Sequence, residues 1–124
     1  MLNRLREMFP TVWLVDFEFS ALPGERPVPL CLVALEFFSG RLLRVWIDGN
    51  NELIRADGLP IDAGPQTLFV AFNASEKLGC YLALNWPLPE RILDLYVEFR
   101  NLTNGQGMIC GNGLMGARTY FGLP

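Results

Sequence analysis

Short apolar runs separated by turn-forming residues set the pattern of this chain. Each run is rich in β-branched or aromatic residues and is bounded by glycine, proline, asparagine or serine, which predicts β-strands. The runs lie at positions 12–19, 28–38, 42–47, 67–72 and 91–95. The first is apolar apart from two acids, which predicts a central, buried strand. The second and third are separated by a short Ser-Gly turn, so we predict an antiparallel hairpin there.

Helical signals are concentrated in the second half of the chain. A helix at 76–85 follows the capping sequence Asn-Ala-Ser and stops before Pro87. Its predicted apolar face consists of Leu78, Leu82 and Ala83. Two further helices are predicted, at 96–102 and from position 112 or 113 to 120. Between 52 and 66, prolines and glycines predict nothing longer than one helical turn.

The order of these elements predicts the fold class. A three-stranded antiparallel start is followed by strand–helix–strand units, which together make a mixed α/β sheet with helices packed on it. A chain of 124 residues fits one domain. We therefore predict a single domain over 1–124, with a core at 12–95 and C-terminal helices at 96–124.

Two carboxylates interrupt the first apolar run. Asp16 and Glu18 are one residue apart, so on a strand they project from the same face, roughly 6.6 Å apart along the chain. Buried there, both would be ionised only if a cation compensated them. A divalent metal held by oxygen ligands is the simplest such cation. The alternative is that the strand ends near Val15 and leaves both acids at a solvated edge.

The amino-acid composition excludes several classes of catalytic and metal site. Histidine is absent, which excludes histidine-dependent triads, histidine-ligated zinc and imidazole acid–base steps. The net charge of −3 gives no general attraction to nucleic acid, so an enzyme acting on nucleic acid would need local cations and metal ions.

Localisation follows from the cysteines and the apolar runs. Neither a membrane span nor a signal peptide is expected, because prolines and charges interrupt the apolar stretches. The cysteines are odd in number and scattered, which predicts buried thiols in a reducing cytoplasm rather than disulfides or a zinc site. They are Cys31, Cys80 and Cys110.

Several motifs resemble those of a known family. Residues 16–22 (Asp-Phe-Glu-Phe-Ser-Ala-Leu) resemble the first motif, Asp-x-Glu-x-Ser/Thr-x-Leu, of 3′→5′ exonucleases with four acidic metal ligands. These are the bacterial proofreading subunits and polymerase-I-type exonuclease domains, which carry the ribonuclease-H-like fold. Residues 70–74 (Val-Ala-Phe-Asn-Ala) resemble the start of the second motif, and 92–95 fit the next core strand. The resemblance spans roughly 12–95 and is strongest to phage-type DNA polymerases.

The resemblance implies a reaction and a set of site residues. The reaction is hydrolysis of DNA at single-stranded 3′ ends, assisted by Mg²⁺ or Mn²⁺. The implied catalytic residues are Asp16, Glu18 and Glu76, of which Asp16 and Glu18 would be the metal ligands. The implied substrate contacts come from the backbone around Phe17 and from Ser20, Leu22 and Asn73.

The chain departs from the family at the remaining ligands. The acid of the second motif is replaced by Lys77, and Glu76 lies one place earlier, about 100° around the helix. Either Glu76 reaches a metal, or the Lys77 cation pairs with Asp16 or Glu18 and substitutes for the metal. Asp94 either makes structural hydrogen bonds near a helix start or approaches the acid pair. The third motif, a Tyr or His with Asp four residues later, is absent.

The leading hypothesis is an exonuclease-like domain related to DNA polymerase proofreading. Because the ligand set is incomplete and the family's last helices are absent, we expect the isolated chain to be inactive or weak and to hold at most one Mg²⁺ weakly. The alternative is a non-catalytic binding or inhibitor protein, phage-encoded, that reuses the fold to engage a polymerase or other protein. We also expect self-association or a protein partner, because apolar sheet surface would be left uncovered.

Overall fold

The computed structural model describes residues 1–47 and 59–124, and in this part of the chain every predicted strand is present. The strands are β1 (Thr11–Ser20), β2 (Val28–Glu36), β3 (Leu42–Trp46), β4 (Thr67–Ala71) and β5 (Ile92–Asp94). The helices are α1 (Leu2–Met8), α2 (Ala74–Ala83), α3 (Leu95–Leu102) and α4 (Leu114–Tyr120). The sequence analysis did not predict α1. The prediction for 52–66 lies partly outside the described residues, and 59–66 contain neither helix nor strand.

The five strands form one mixed sheet in the order β3-β2-β1-β4-β5. The predicted hairpin is confirmed, since β2 pairs antiparallel with both β1 and β3. The two later strands are parallel, β4 beside β1 and β5 beside β4. The predicted fold class, an antiparallel start followed by parallel strands, is therefore correct, and β1 is the central strand.

One face of the sheet is covered by α2. Alternate residues of β1 point to this side, and Trp13 and Phe17 are among its buried residues. Tyr81 of α2 packs edge-on against Phe17, with the ring centroids 5.9 Å apart, and against Phe69 of β4 at 5.5 Å. This aromatic cluster fixes α2 on the sheet and so fixes where the first turn of the helix lies.

The predicted apolar face of α2 is wrong. Leu82 is exposed and Leu78 is only partly buried. The buried residues of α2 are instead Ala74, Lys77, Cys80 and Tyr81. Tyr81 packs against Phe17 and Phe69 and Cys80 is fully buried, so this side of the helix faces the sheet and Leu82 does not.

The opposite face of the sheet is only partly covered, and it is called here the open face. At one end, Leu5 of α1 and Phe9 pack over Val12 and Leu68. At the other end, strand residues in register share the surface, so Asp16 lies beside Val33 of β2, which lies beside Arg44 of β3. The apolar side chains exposed on this face are Val33, Leu35, Leu42 and Trp46.

The three cysteines are free thiols, but only one of them is buried. Cys80 is buried, Cys31 is half-buried and Cys110 is exposed, so the prediction of three buried thiols is wrong. Within residues 1–47 and 59–124, no helix is both long enough and apolar enough to cross a bilayer.

Candidate functional site

The two carboxylates of β1 lie on the open face, in the part of the strand that extends beyond its pairing with β4. Both are exposed, and the Asp16 side chain retains 67% of its accessible surface. β1 is central, as predicted, but this part of it is not buried on the open face. Burial therefore does not force a cation onto the acid pair. The strand also does not end near Val15, since β1 continues to Ser20.

At the same edge of the sheet, the chain turns sharply after the neighbouring strand, β4. β4 ends at Ala71, and Asn73 adopts a left-handed backbone conformation (φ 61°, ψ 68°) that turns the chain into α2. Asparagine tolerates this region better than other residues with a Cβ. The Ser75 hydroxyl donates to the Asn73 side-chain oxygen at 3.1 Å. The parallel strands β1 and β4 thus deliver Asp16 and the start of α2 to one place.

Asp94 holds this turn from the other side. Its carboxylate accepts backbone N–H bonds from Asn73 and Ala74, both at 3.0 Å, and from Tyr96 at 2.9 Å. The last of these caps the N-terminus of α3. Of the two roles considered for Asp94, structural hydrogen bonding near a helix start is the one that the structure shows.

Lys77 reaches one member of the acid pair, Asp16. Its side chain is buried, with 9% of its surface accessible, and its ammonium nitrogen lies 3.4 Å from Oδ1 of Asp16. The same nitrogen lies 3.5 Å from Oε2 of Glu76, whose side chain is 47% exposed. Of the two interpretations left open by the sequence, the geometry brings the Lys77 cation to Asp16, with Glu76 as its second partner.

The donor set does not fit a divalent metal. Among residues 1–47 and 59–124, no group of three or more histidine, cysteine, aspartate or glutamate side chains is arranged to hold a metal ion. Asp16 faces an ammonium group, which carries donors only and cannot be a metal ligand while protonated. The Mg²⁺ or Mn²⁺ implied by the family resemblance therefore has no ligand set in the described part of the chain.

The charged residues of this site also affect the pKa of a buried thiol, Cys80. Burial raises the pKa of Cys80 to about 11, while Lys77 lowers it and Glu76 and Asp16 raise it further. A thiol with this pKa is protonated at neutral pH and is a poor nucleophile. Cys80 therefore serves packing rather than chemistry.

An open groove of about 750 Å³ lies beside these residues. Its far wall carries Tyr96 and Arg100 of α3, where the guanidinium carbon lies 6.0 Å from the ring centroid and Nη1 lies 3.5 Å from the hydroxyl. The residues that line the groove come from the open face, the β4–α2 turn, α3 and the start of α4. They are Leu14, Val15, Asp16, Val33, Leu35, Val70, Ala71, Phe72, Asn73, Glu76, Lys77, Leu95, Tyr96, Arg100, Asn112, Gly113 and Leu114.

The remaining candidate residues lie around the groove rather than in it. The Phe17 side chain is buried on the α2 side of the sheet. Glu18 and Ser20 continue β1 beyond Asp16, and Leu22 is exposed in the loop that follows. Of the candidates, the structure brings together Asp16, Glu76 and Asn73, all of which line the groove.

The sequence analysis missed the wall formed by Tyr96 and Arg100. The two residues are four positions apart on a helix, which places them on one face. That spacing, directly after a strand that ends at the same edge of the sheet as β1, is the signal that could have identified them.

The similarity of this chain to known proteins lies in its fold. No family model and no curated protein matches the chain. Among solved structures, it is similar to Escherichia coli RNase D, described as an exoribonuclease involved in structured RNA processing. The TM-score is 0.58 and the sequence identity is 22%, over 98% of this chain and 30% of RNase D. The chain thus spans about a third of the length of that enzyme. The predicted ribonuclease-H-like fold is confirmed.

Proposed function

We propose that this chain is a 3′→5′ exonuclease-like domain that binds the 3′ end of a single DNA strand, with hydrolysis absent or very weak in the isolated chain. The observation that carries this proposal is the position of Asp16. It lies on the central strand just beyond the residues that pair with β4, exposed, beside the β4–α2 turn and inside a groove. In open α/β sheets, ligands bind outside the carboxyl ends of the strands, where the strand order changes direction.

The groove has the chemistry to hold a strand end. Arg100, which is exposed, supplies positive charge at the groove within a chain whose net charge is −3. Tyr96 offers an aromatic face, and the apolar side chains Leu14 and Leu35 offer further surface to a base. Base stacking on aromatic rings is tolerant of sequence, and arginine adds a contact to phosphate. The groove therefore suits a single strand better than a duplex.

Weak hydrolysis follows from the composition of the site. The acid expected from the second motif is Lys77, whose ammonium already neutralises Asp16. Each tenfold loss of rate corresponds to about 1.4 kcal/mol of transition-state stabilisation, so losing about 4 kcal/mol gives a thousandfold loss. We expect mononucleotide release to be absent or at least about a thousandfold slower than in a complete exonuclease.

Binding and hydrolysis are tested separately. Fluorescence anisotropy with labelled single-stranded DNA, single-stranded RNA and duplex DNA should show binding to single strands, with DNA at least equal to RNA. Arg100→Gln should weaken binding by about tenfold, which is about 1.4 kcal/mol. Arg91→Gln is the matched control, because Arg91 is exposed at the amino end of β5. Equal loss in both variants, or no binding by the parent chain, would contradict the proposal.

Hydrolysis is measured as mononucleotide release from the same single strands, with Mg²⁺ and Mn²⁺ tested separately. Any trace of activity should disappear in Asp16→Ala and in Glu18→Ala. Robust turnover that depends on Asp16 would contradict the expectation of weak catalysis while leaving the exonuclease-like assignment in place.

The second candidate function is a non-catalytic protein-binding role. The observation that favours it is the open face, where Trp46 is 82% exposed and lies in register with Cys31 and Glu18. Exposed apolar patches of several hundred Å² mark interaction surfaces. Analytical ultracentrifugation at tens of micromolar should show association that Trp46→Ser weakens. A clean monomer for the parent chain would remove self-association from this candidate.

A further inference from the structure

Lys77 is the only lysine in the sequence, and it is directed inward. It lies on the side of α2 that faces the sheet, where Ala74, Cys80 and Tyr81 are the other buried residues. A lysine on a helix of this length would ordinarily extend into solvent, because burial of an unpaired ammonium is unfavourable. Its burial requires compensating charge, and Asp16 and Glu76 supply it at 3.4 Å and 3.5 Å.

We propose that the Lys77 ammonium is the resident cation of this site, so that the site works without a divalent metal. We further infer that replacing Lys77 by glutamate turns the same position into a divalent-metal site. The oligonucleotide experiment below rests on the proposed function, whereas the metal experiments do not.

The charge arrangement supports this assignment. Asp16 and Glu76 come from different elements and converge on one ammonium nitrogen. Glu18 adds a third carboxylate on the same face of β1. A divalent ion entering here would meet the ammonium at close range, and the like charges would repel. The ammonium therefore acts against metal binding twice, by occupying the position and by neutralising its ligands.

Exchange of Lys77 for glutamate reverses both effects. A glutamate at the same Cα, on the buried side of α2, extends a carboxylate toward Asp16 instead of an ammonium. The position then has carboxylates from residues 16, 76 and 77 with no cation between them. Divalent cations with oxygen ligands gain affinity with the number of charged ligands. The variant should take up one ion.

Metal uptake is measured with Mn²⁺ alone, from the electron paramagnetic resonance signal of the free ion. The parent chain should show no saturable binding up to about 1 mM, whereas Lys77→Glu should bind one Mn²⁺ at least about tenfold more tightly. Adding Asp16→Asn to Lys77→Glu should abolish the gain. Tight binding by the parent chain that Asp16→Asn abolishes would overturn the proposal. Equal, weak binding by the parent chain and Lys77→Glu would also overturn it.

Circular dichroism verifies that Lys77→Glu folds. If it does not, Lys77→Gln removes the cation without adding an acid, and it should raise Mn²⁺ affinity above that of the parent chain. Affinity unchanged in Lys77→Gln would overturn the proposal on its own.

The single lysine gives an independent readout of the parent chain. With ¹³C-labelled lysine, the Cε–Hε region of the spectrum contains one signal, from Lys77. Asp16→Asn should shift this signal, and the exposed Glu25→Gln should leave it in place. Mn²⁺ at up to about 1 mM should not selectively broaden it. A signal insensitive to Asp16→Asn would overturn the ion pair and with it the proposal.

The oligonucleotide arm compares single-strand binding in EDTA and in Mg²⁺. We expect equal affinity in both, because the cation is part of the protein. Binding that requires Mg²⁺ would overturn the resident-cation assignment. No binding in either condition would contradict the proposed function, while the Mn²⁺ and lysine measurements would still decide the role of Lys77.

Discussion

Four carboxylates of this chain form two pairs, which lie in different regions and have opposite physical roles. Glu36 at the end of β2 and Asp94 at the end of β5 each accept three backbone N–H bonds. Asp16 and Glu18 on the open face are exposed, and Asp16 pairs with the ammonium of Lys77. The first pair joins chain segments, whereas the second pair is accessible to a ligand.

The difference shows what burial demands of a carboxylate. Glu36 is 6% exposed and accepts from Val12 at 2.9 Å, Phe38 at 3.3 Å and Ser39 at 2.8 Å. It therefore ties the start of β1 to the turn after β2. An acid that retains water needs no such donors, so Asp16 and Glu18 remain available for binding. Changes at the two regions should separate stability from function.

The largest effect on stability is expected at Glu36. Glu36→Gln places an NH₂ group where backbone N–H groups now donate, and it should lower the free energy of unfolding by about 2–4 kcal/mol. The measurement is urea unfolding followed by circular dichroism. Glu25→Gln, which also removes an acid but is exposed, should change stability by less than about 0.5 kcal/mol. Similar losses in both variants would show that net charge rather than the hydrogen bonds matters.

Glu36 also predicts how stability depends on pH. Burial alone would raise the pKa of this carboxyl, but the N–H donors of Val12, Ser39 and Phe38 together outweigh it and hold the pKa below its ordinary value. A group with a lowered folded-state pKa stabilises the protein above its unfolded-state pKa, near 4.5. This contribution should be lost as pH falls below about 4.5 through the folded-state pKa. Glu36→Gln should show a shallower loss of stability over that range.

A smaller effect is expected at Asp94. Asp94→Asn keeps the shape of the side chain but replaces one accepting oxygen by a donor, which disrupts the bonds from Asn73, Ala74 or Tyr96. Because Asp94 is only half-buried, the expected loss is about 1–3 kcal/mol by the same unfolding measurement. Single-strand binding should also weaken, since Asp94 positions the β4–α2 turn. Glu90→Gln, exposed just before β5, is the control. Unchanged stability would contradict this role.

The smallest effect on stability is expected at Glu18. Glu18 is exposed, so Glu18→Ala removes no buried charge. The expected change is therefore within about 0.5 kcal/mol. A thermal unfolding scan that shows a larger shift in either direction would indicate that Glu18 has a structural partner after all.

Strand positions were predictable because the signals for a strand lie within its own short stretch of sequence. The apolar runs of β1 and β4 and the Ser-Gly turn between β2 and β3 each contain a local signal for strands. The parallel and antiparallel pairing then followed from element order and connection length. The carboxylate pair was predictable for the same reason, since a two-residue spacing fixes a shared face.

Other features depended on packing between distant segments. No residue near Glu36 in sequence indicates that the Val12 N–H is its donor. One signal went unused, because Glu36 lies on the same face of β2 as the buried Leu32 and Ala34 and is therefore expected to be buried too. Likewise, leucines in α2 suggested one buried face, and the aromatic packing of Tyr81 selected another.

The sequence by itself determined the strands, their order and the presence of two acids on one face, because these follow from short-range periodicity. Only the tertiary structure decided that the acids are exposed and that Lys77 points inward to Asp16. Exposure depends on whether a helix covers that end of the sheet, and the direction of Lys77 depends on the rotation of α2 about its axis. Both are set by contacts between segments far apart in the chain.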